Sequence, residues 1–280
     1  MKYIFFVLVY TFNLYAISGI HILDTYMFED KKIHELSGLA YDKKVLYGVS
    51  DYGVLHHFNL KISNNIIQSI TPIKSYELRN KKNEILKNKH RDSEGLIYKK
   101  KKLYISFERK HRVEEFSLTG QKIKKISLNK KLKNGNFRSK NKGFEALAYH
   151  KKHGFLTAPE LPFKSQNTHT IYAKNKVYSF KKSGSITALE FIKTNKLLVL
   201  ERDFNALLRR QLITLSVVDL KQCKKNFCKV KTLKVLDSYK DKNVDNFEGL
   251  TKIEDKLFLM VSDDNGSLFQ KTLFVLFEVY

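Results

Sequence analysis

The sequence predicts an all-β fold, a β-propeller built from four-stranded blades. Two observations predict it: a six-residue motif recurs five times, and the segments between its copies are rich in β-branched, Tyr and Phe residues. Counted from residues 37, 94, 145, 187 and 248, the copies start 57, 51, 42 and 61 residues apart, close to the ~40–50 residues of a propeller blade. The length of 280 residues suits one large all-β domain.

The repeated motif is predicted to be the first strand of each blade. Its second residue is acidic or a hydroxyl residue, its third is Gly or Ala, and its fourth is always Leu. The five copies are Leu36–Tyr41, Ser93–Tyr98, Phe144–Tyr149, Ile186–Phe191 and Phe247–Lys252.

A short polar turn and a second apolar strand follow each copy. The second strands are Val45–Ser50, Leu103–Phe107, Phe155–Ala158, Leu197–Leu200 and Leu257–Ser262. An acid is predicted to close each of them: Asp51, Glu108, Glu160, Glu201 and Asp263. The spacing from the second motif residue to that acid is 14, 14, 15, 14 and 15 residues, which indicates a hairpin of nearly constant length.

Third and fourth strands complete most units. Third strands are predicted at Val54–Leu60, Arg112–Leu118, His169–Lys174, Ile213–Leu220 and Thr272–Val279, and fourth strands at Ile66–Leu78, Lys122–Leu128, Lys176–Lys181 and Lys229–Leu236. The fifth unit stops after its third strand, so we expect His21–Phe28 to complete the last blade and close the ring. Five repeats are visible, and a sixth blade stays open as an alternative.

The acids of this repeat are expected to converge. The first two strands of a blade are antiparallel neighbours, so the start of the first and the end of the second share one edge of the sheet. The innermost strands line the central channel, and the acids should therefore meet at one mouth of it. Carboxylate oxygens are the ligands that Ca²⁺ takes. The predicted metal ligands are Glu94, Glu108, Glu145, Glu160, Glu201, Glu248 and Asp263.

Two arginines directly follow acids of the ring, in Glu108-Arg109 and Glu201-Arg202. Arginine beside a cation-loaded acidic ring is suited to holding phosphate. Glu145, Glu248, Arg109 and Arg202 are therefore the candidate catalytic residues. A purely structural role for the acids, accepting hydrogen bonds from backbone amides or pairing with arginines, stays open.

The chain is strongly basic, with 52 Lys and Arg against 28 Asp and Glu and a net charge of +24. Such a charge raises nucleic acid, anionic lipid or a phosphorylated substrate as partners. The sequence has no zinc-finger or helix-turn-helix motif, so we expect no nucleic-acid partner. We also expect the protein to be a monomer. No G-x-S-x-G motif supports a serine nucleophile.

The start of the chain resembles a signal peptide: Lys2 precedes an apolar run and then small residues. We predict a signal peptide over residues 1–18 and a mature domain over 19–280, exported to the periplasm or secreted, without a stable membrane span after cleavage. A cut after Ala16 and an uncleaved anchor are the alternatives. Cys223 and Cys228 bracket a polar turn and could form a disulfide in an oxidising compartment.

Several segments resemble the phytase-like family of exported bacterial propellers, described as having esterase-like activity of phytase. They lie between residues 35 and 272 and are Glu35–Leu39, Arg91–Leu96, Asn141–Leu147, Leu198–Asp203, Asn246–Leu250, Val261–Asn265 and Gln270–Thr272. The resemblance implies a propeller with a phosphoester-hydrolysing ancestry, and β-propeller phytases bind several calcium ions. Well-studied β-propeller phytases have six blades and an Asp-Asp-Pro-Ala type segment, and this chain contains no such segment.

The sequence supports three hypotheses. The first is an exported calcium-dependent phosphoester hydrolase that acts on a small phosphorylated or ester substrate at the acidic ring. The second is a non-catalytic envelope binding or scaffold propeller with a structural ring. The third is a lactonase-like hydrolase that holds one calcium on the propeller axis.

Overall fold

A computed structural model describes residues 17–133, 137–139, 143–267 and 270–280. In this part of the chain, strands are the dominant element and helices are confined to a 3-10 turn at Asn88–His90 and α1 at Lys130–Lys133. The all-β prediction is confirmed.

The strands form three four-stranded sheets and one eight-stranded sheet. The first four-stranded sheet contains β2 (Leu36–Tyr41), β3 (Leu46–Ser50), β4 (Val54–Ser63) and β5 (Ile66–Glu77), and the second contains β6 (Ser93–Lys99), β7 (Lys102–Phe107), β8 (Arg112–Phe116) and β9 (Lys122–Lys125). The third has the order β1 (Ile20–Met27), β20 (Leu273–Val279), β19 (Leu257–Ser262) and β18 (Phe247–Lys252).

The eight-stranded sheet consists of two antiparallel halves. One half is β10 (Phe144–His150), β11 (Gly154–Pro159), β12 (His169–Ala173) and β13 (Val177–Phe180), and the other is β14 (Ser185–Lys193), β15 (Lys196–Asn205), β16 (Arg210–Lys224) and β17 (Phe227–Asp237). The only strand pairing between the halves in the described residues is at their outermost strands, where Ser179 of β13 pairs in parallel with Phe227 of β17.

The first strands contact one another in a closed cycle. β2 packs against β6, β6 against β10, β10 against β14, β14 against β18, and β18 against β2. The third sheet is completed by β1, which pairs antiparallel with β20. The amides of Ser18 and Gly19 also donate to the carbonyl of Tyr280, at 2.5 and 3.1 Å. The two ends of the chain are thus joined in one sheet, and its outer edge is formed by the N-terminal strand.

The core lies between neighbouring sheets. Phe58 of the first sheet, Phe274 of the third and Phe28 beyond β1 meet edge to face, with ring centroids 5.7 to 6.3 Å apart. All three rings are buried, and burying each ring contributes about 1.5–3 kcal/mol. Packing of this kind holds the sheets in fixed positions around the axis.

The channel along the axis is closed by five buried leucines, one from each first strand: Leu39, Leu96, Leu147, Leu189 and Leu250. The first strands approach closely here because the preceding residue is small. A Cβ at Gly38 would lie 2.1 Å from the carbonyl oxygen of Glu94 on the neighbouring strand, which no side chain tolerates. Only a cavity of about 10 Å³ is left among the leucines, so the acidic mouth opens to one face of the ring.

Cys223 and Cys228 form a disulfide across the end of the β16–β17 hairpin. The predicted signal peptide lies outside the described residues except for Ile17 and Ser18. No helix among the described residues has the length and apolar character required to span a membrane.

Candidate functional site

Each first strand carries a β-bulge at the second residue of the repeated motif. In the first sheet Leu36 pairs with Ser50 and Gly38 with Val49, so that Ser37 is left out of the pairing. The residues skipped in this way are Ser37, Glu145, Thr187 and Glu248, with Glu94 and Gly95 together in β6. A bulge re-aims a side chain relative to the regular pleat, and here it brings Glu94, Glu145 and Glu248 together.

A second set of ring residues follows the second strands. The backbone amides of Asp51, Glu108, Glu160 and Asp263 donate to carbonyls just before the first strand, at 2.9 to 3.2 Å. These four residues therefore occupy one equivalent position in four of the five hairpins, as the repeat spacing predicts.

The fourth hairpin differs from the prediction. Ile186 pairs with Glu201 and Ser185 with Arg202, so Arg202 takes the position that an acid holds in the other hairpins. The spacing from Thr187 to Arg202 is 202 − 187 = 15 residues, equal to that of the third and fifth units. The prediction that Glu201 belongs to the acidic ring is wrong, because a spacing that varies between 14 and 15 cannot distinguish adjacent residues.

Glu201 instead fastens the loop before β14. Its Oε1 accepts hydrogen bonds from the amides of Ser183 and Gly184 at 2.8 and 3.0 Å and lies 3.4 Å from His169 Nε2. Glu201 and His169 are each 1% exposed. The role of this carboxylate is therefore to hold backbone.

The acid-rich side of the ring is centred on Glu94. Carboxylate oxygens of Glu94, Glu108 and Glu145 lie within 4.8 Å of one another, and so do those of Asp51, Asp92 and Glu94. The two groups share Glu94, which is buried. Five carboxylates are thus packed into two adjoining triads.

Burial and mutual repulsion raise the pKa values on this side. For Glu94 burial is the largest cause, followed by the charges of Asp51, Glu145, Glu248 and Glu108, and every one of these causes raises its pKa. Burial likewise raises the pKa of Glu108 to about 7. A bound cation would remove this penalty.

The opposite side of the ring carries its own cation. Arg202 Nη1 donates to Glu248 Oε1 at 2.5 Å and also to the side-chain oxygen of Asn246, and Nη2 lies 3.4 Å from Glu160 Oε1. Burial lowers the pKa of Arg202, but Glu248, Glu145 and Glu160 outweigh it and raise the pKa overall. The guanidinium therefore neutralises part of the ring from within.

Asp263 and Asn246 complete the ring beside Glu248. Asn246 Nδ2 donates to Glu248 Oε1 at 2.9 Å and lies 3.4 Å from Asp263 Oδ2, and the amide of Asn265 donates to Asp263 Oδ1 at 2.8 Å. Burial and then the charge of Glu248 raise the pKa of Asp263 to about 8.

Arg109 lies at the rim of the ring. Its Nε is 2.9 Å from Asp92 Oδ2, and its side chain is 49% exposed. It also borders a basic cleft of about 1350 Å³ lined by Lys110, Arg112 and Lys125 among others. Arg109 thus faces solvent with its remaining donors, whereas Arg202 is committed to the ring.

The donor set fits calcium. Two oxygens bound to one ion at about 2.4 Å can lie up to about 4.8 Å apart, within the 2.3–2.6 Å range of Ca²⁺, and the oxygens of each triad are that close together. Mg²⁺ at about 2.0–2.1 Å draws its ligands closer and retains water. Histidine is absent from both triads, which disfavours zinc.

Of the predicted metal ligands, the structure brings together Glu94, Glu108 and Glu145 on one side and Glu160, Glu248 and Asp263 around Arg202. Asp92, which lies two residues before Glu94 and belongs to the second triad, was not among the predicted residues. Its carbonyl accepts the amide of Glu108 at 3.0 Å, and its place opposite the end of the second strand is the signal that could have identified it.

A closed cycle of sheets with an acidic cluster at one mouth defines a protein of the propeller class. The structure is similar to the PQQ-bound aldose sugar dehydrogenase from Streptomyces coelicolor, with a TM-score of 0.50, 8% identity, and 95% of this chain and 98% of that chain covered. It is also similar to glutaminyl cyclase from Myxococcus xanthus, with a TM-score of 0.54, 13% identity, and 94% and 99% of the two chains covered. At these identities the likeness shows the fold alone.

The family follows from the sequence. A family model described as Phytase-like, esterase-like activity of phytase, matches residues 31–266, and the chain belongs to this family. No curated protein matches it.

Proposed function

We propose that this phytase-like protein is a five-bladed propeller and a calcium-dependent phosphoester hydrolase. The observation that carries the proposal is Glu94, a buried carboxylate shared by two triads of acids, whose pKa is raised by its burial and by the charges of its acidic neighbours. Such a group is stable in its charged form only beside a cation.

The five-bladed interpretation is supported by the cycle of first strands. Each half of the eight-stranded sheet repeats the antiparallel order of the other sheets, and strand pairing joins the described residues of the two halves only at Ser179 and Phe227. Each half then counts as one blade, and the third sheet is the blade completed by β1.

The residues proposed to hold calcium are those of the two triads: Asp51, Asp92, Glu94, Glu108 and Glu145. When bound, calcium would neutralise negative charge on a phosphoryl group and polarise it. The chain itself contributes the orientation of these oxygens through the bulges of β6 and β10 and through the hydrogen bonds of the second set of ring residues.

The two arginines have different proposed roles. Arg109, half-exposed at the rim and next to the basic cleft, is placed to grip phosphate oxygens. Arg202 is proposed to position Glu248 and to exclude calcium from its side of the ring, because its guanidinium already compensates the charges of Glu160 and Glu248. Glu145 and Glu248 remain the acids proposed to act nearest the reacting group.

We propose that the protein acts as an exported monomer on a small phosphorylated or ester substrate. The Cys223–Cys228 disulfide suits an oxidising compartment such as the periplasm or the exterior. Residues 19–280 would then form the mature domain after removal of residues 1–18.

The test is hydrolysis of an aryl phosphate and of phytate by the purified protein, with calcium and with chelator. We expect turnover only with calcium, and a loss of at least about a hundredfold in Glu145→Gln and Glu248→Gln. Glu115→Gln is the matched control, since Glu115 is also buried but pairs with Lys124 outside the ring.

Two other results would redirect the proposal. Calcium-dependent stabilisation without turnover of any phosphoester would favour the binding or scaffold propeller. Hydrolysis of lactones but not of phosphoesters, with one calcium per chain, would favour the lactonase-like hydrolase. No effect of calcium on either stability or activity would contradict the metal ring itself.

A further inference from the structure

The β15–β16 hairpin extends beyond the ring. Its pairing continues past Arg202 through Asp203, Phe204 and Asn205, the last of which pairs with Arg210. Three further residues of strand reach about 10 Å beyond the level of Arg202. In the first sheet the corresponding hairpin ends at Ser50 paired with Val54, one residue before Asp51.

The tip of this hairpin exposes large apolar side chains. Phe204 is 56% exposed, Leu207 92% and Leu208 49%, and Tyr239 of the adjoining loop is 62% exposed. All seven residues from Asp203 to Arg209 are exposed. Four large apolar side chains are thus exposed on one protrusion and its adjoining loop, and exposed apolar groups gathered in this way mark an interaction site.

The patch is held rigidly in solvent. Arg210 donates to the two carboxylate oxygens of Asp237 at 3.0 and 2.6 Å, and Gln211 and Ser238 exchange hydrogen bonds at 3.0 Å. The hydroxyl of Tyr239 donates to the carbonyl of Leu208. Because the neighbouring loop braces the tip from its base, the leucines stay outside the core.

Basic residues surround the patch. Arg209 is in the turn itself, and Lys240 and Lys242 flank Tyr239 and Asp241. Lys181 and Lys182 directly precede Ser183 and Gly184, whose amides donate to Glu201 at the base of the hairpin. The acids of this region are Asp203, Asp241 and Asp245, besides Asp237, which is paired with Arg210.

These features match the surface of an anionic bilayer. The apolar side chains of a protruding tip can enter the acyl boundary, and the cations around it, on a chain of net charge +24, can contact the headgroups. Tyr suits that boundary because its ring is amphipathic, and Phe and Leu are typical of the apolar face of membrane-surface segments. We propose that the tip formed by Phe204, Leu207, Leu208 and Tyr239 docks the protein on anionic phospholipid. The occupant is a lipid surface, and a second copy is an outcome that the test distinguishes.

Docking of this kind would place the mouth of the ring towards the membrane. A cleft of about 720 Å³ lies between the hairpin and the ring, lined by Arg202, Phe204, Arg209 and Asn246 among others. The lipid surface would therefore adjoin the ring whether or not the ring catalyses a reaction, and the inference stands apart from the hydrolase proposal.

The chain contains no tryptophan, so a single introduced tryptophan reports on its own position. We would prepare Leu207→Trp and, as a control, Ile73→Trp, at a residue of β5 that is 58% exposed in another sheet. Emission is measured with vesicles of phosphatidylcholine alone and of equal parts phosphatidylcholine and phosphatidylglycerol. We expect a blue shift for Leu207→Trp with the anionic vesicles and none for Ile73→Trp.

Cosedimentation with the same vesicles gives the second readout. Replacing both Leu207 and Leu208 by serine is expected to lower the fraction bound by about tenfold or more, and Ile73→Ser to leave it unchanged. The rest of the chain is identical in all variants, so any other contribution to binding is common to them. Equal loss in Ile73→Ser, or no blue shift at Leu207→Trp, would overturn the proposal. A blue shift without vesicles that grows with protein concentration would assign the tip to a second copy and also overturn it.

Discussion

Removing the internal cation of the ring tests the electrostatic account most sharply. Arg202→Met keeps much of the side-chain length but removes the guanidinium that contacts Glu248 and Glu160. Taking one partner from a buried ion pair costs about 3–5 kcal/mol, because an uncompensated charge stays buried. The 2.5 Å contact with Glu248 accounts for most of that cost, and the 3.4 Å contact with Glu160 for the smaller part.

The loss should depend on pH. Burial and neighbouring acids raise the pKa of Glu145, and Arg202 is the cation that lowers it. At acid pH this ring acid can take up a proton, so the destabilisation at about pH 5 should be smaller than at about pH 8 by at least about 1 kcal/mol. Urea unfolding followed by circular dichroism, in chelator, gives both values. Arg209→Met is the control, since Arg209 is exposed on the hairpin tip and should change stability by less than about 0.5 kcal/mol.

A destabilisation of Arg202→Met that is the same at both pH values would refute the reasoning, since it would show lost packing and no uncompensated charge. A loss no larger than that of the control would show that the guanidinium contributes nothing net to the ring.

Three further predictions follow from the structure. In chelator the protein should lose stability as pH rises from about 4 to 8. The pKa values of Glu108 and Asp263 are raised to about 7 and about 8 in the folded state, so the folded protein keeps protons that the unfolded chain has already released. Calcium should flatten this dependence, and a stability that rises over the same range would contradict the prediction. Gly38→Ala should destabilise by at least about 2 kcal/mol, since its Cβ would lie 2.1 Å from a neighbouring carbonyl oxygen, and a wild-type melting temperature would contradict it. Replacing Cys223 and Cys228 by serine should cost about 2 kcal/mol in urea unfolding, because the disulfide closes a short loop, and an unchanged midpoint would show that the hairpin needs no cross-link.

The repeat made the fold predictable from the sequence. A motif with Leu at its fourth position marks the strand that closes the channel, and Gly or Ala before it marks the close approach of first strands. The N-terminal strand was predictable because the last unit lacks one strand and β1 has the apolar character to pair with β20. These features are local in the sequence or repeat at a fixed interval.

The site was predictable only in part. The predicted acid after the second strand takes the equivalent position in four of the five hairpins. In the β14–β15 hairpin a difference of one residue exchanges Glu201 for Arg202. Residues one apart on a strand face opposite sides, so this small error turns an acid of the ring into a cation. The bulges that aim Glu94, Glu145 and Glu248 have no residue signature of their own.

Calcium binding by calorimetry, on the wild-type protein, Glu94→Gln and Glu201→Gln, tests the central claim most directly. Both acids are buried, and the repeat in the sequence predicts both as metal ligands, but of the two only Glu94 lies in the triads. We predict that Glu94→Gln lowers calcium affinity by about tenfold or more, while Glu201→Gln leaves it within about twofold of wild type, since Glu201 binds backbone amides. Equal losses in the two variants, or no calcium binding by the wild-type protein, would contradict the account.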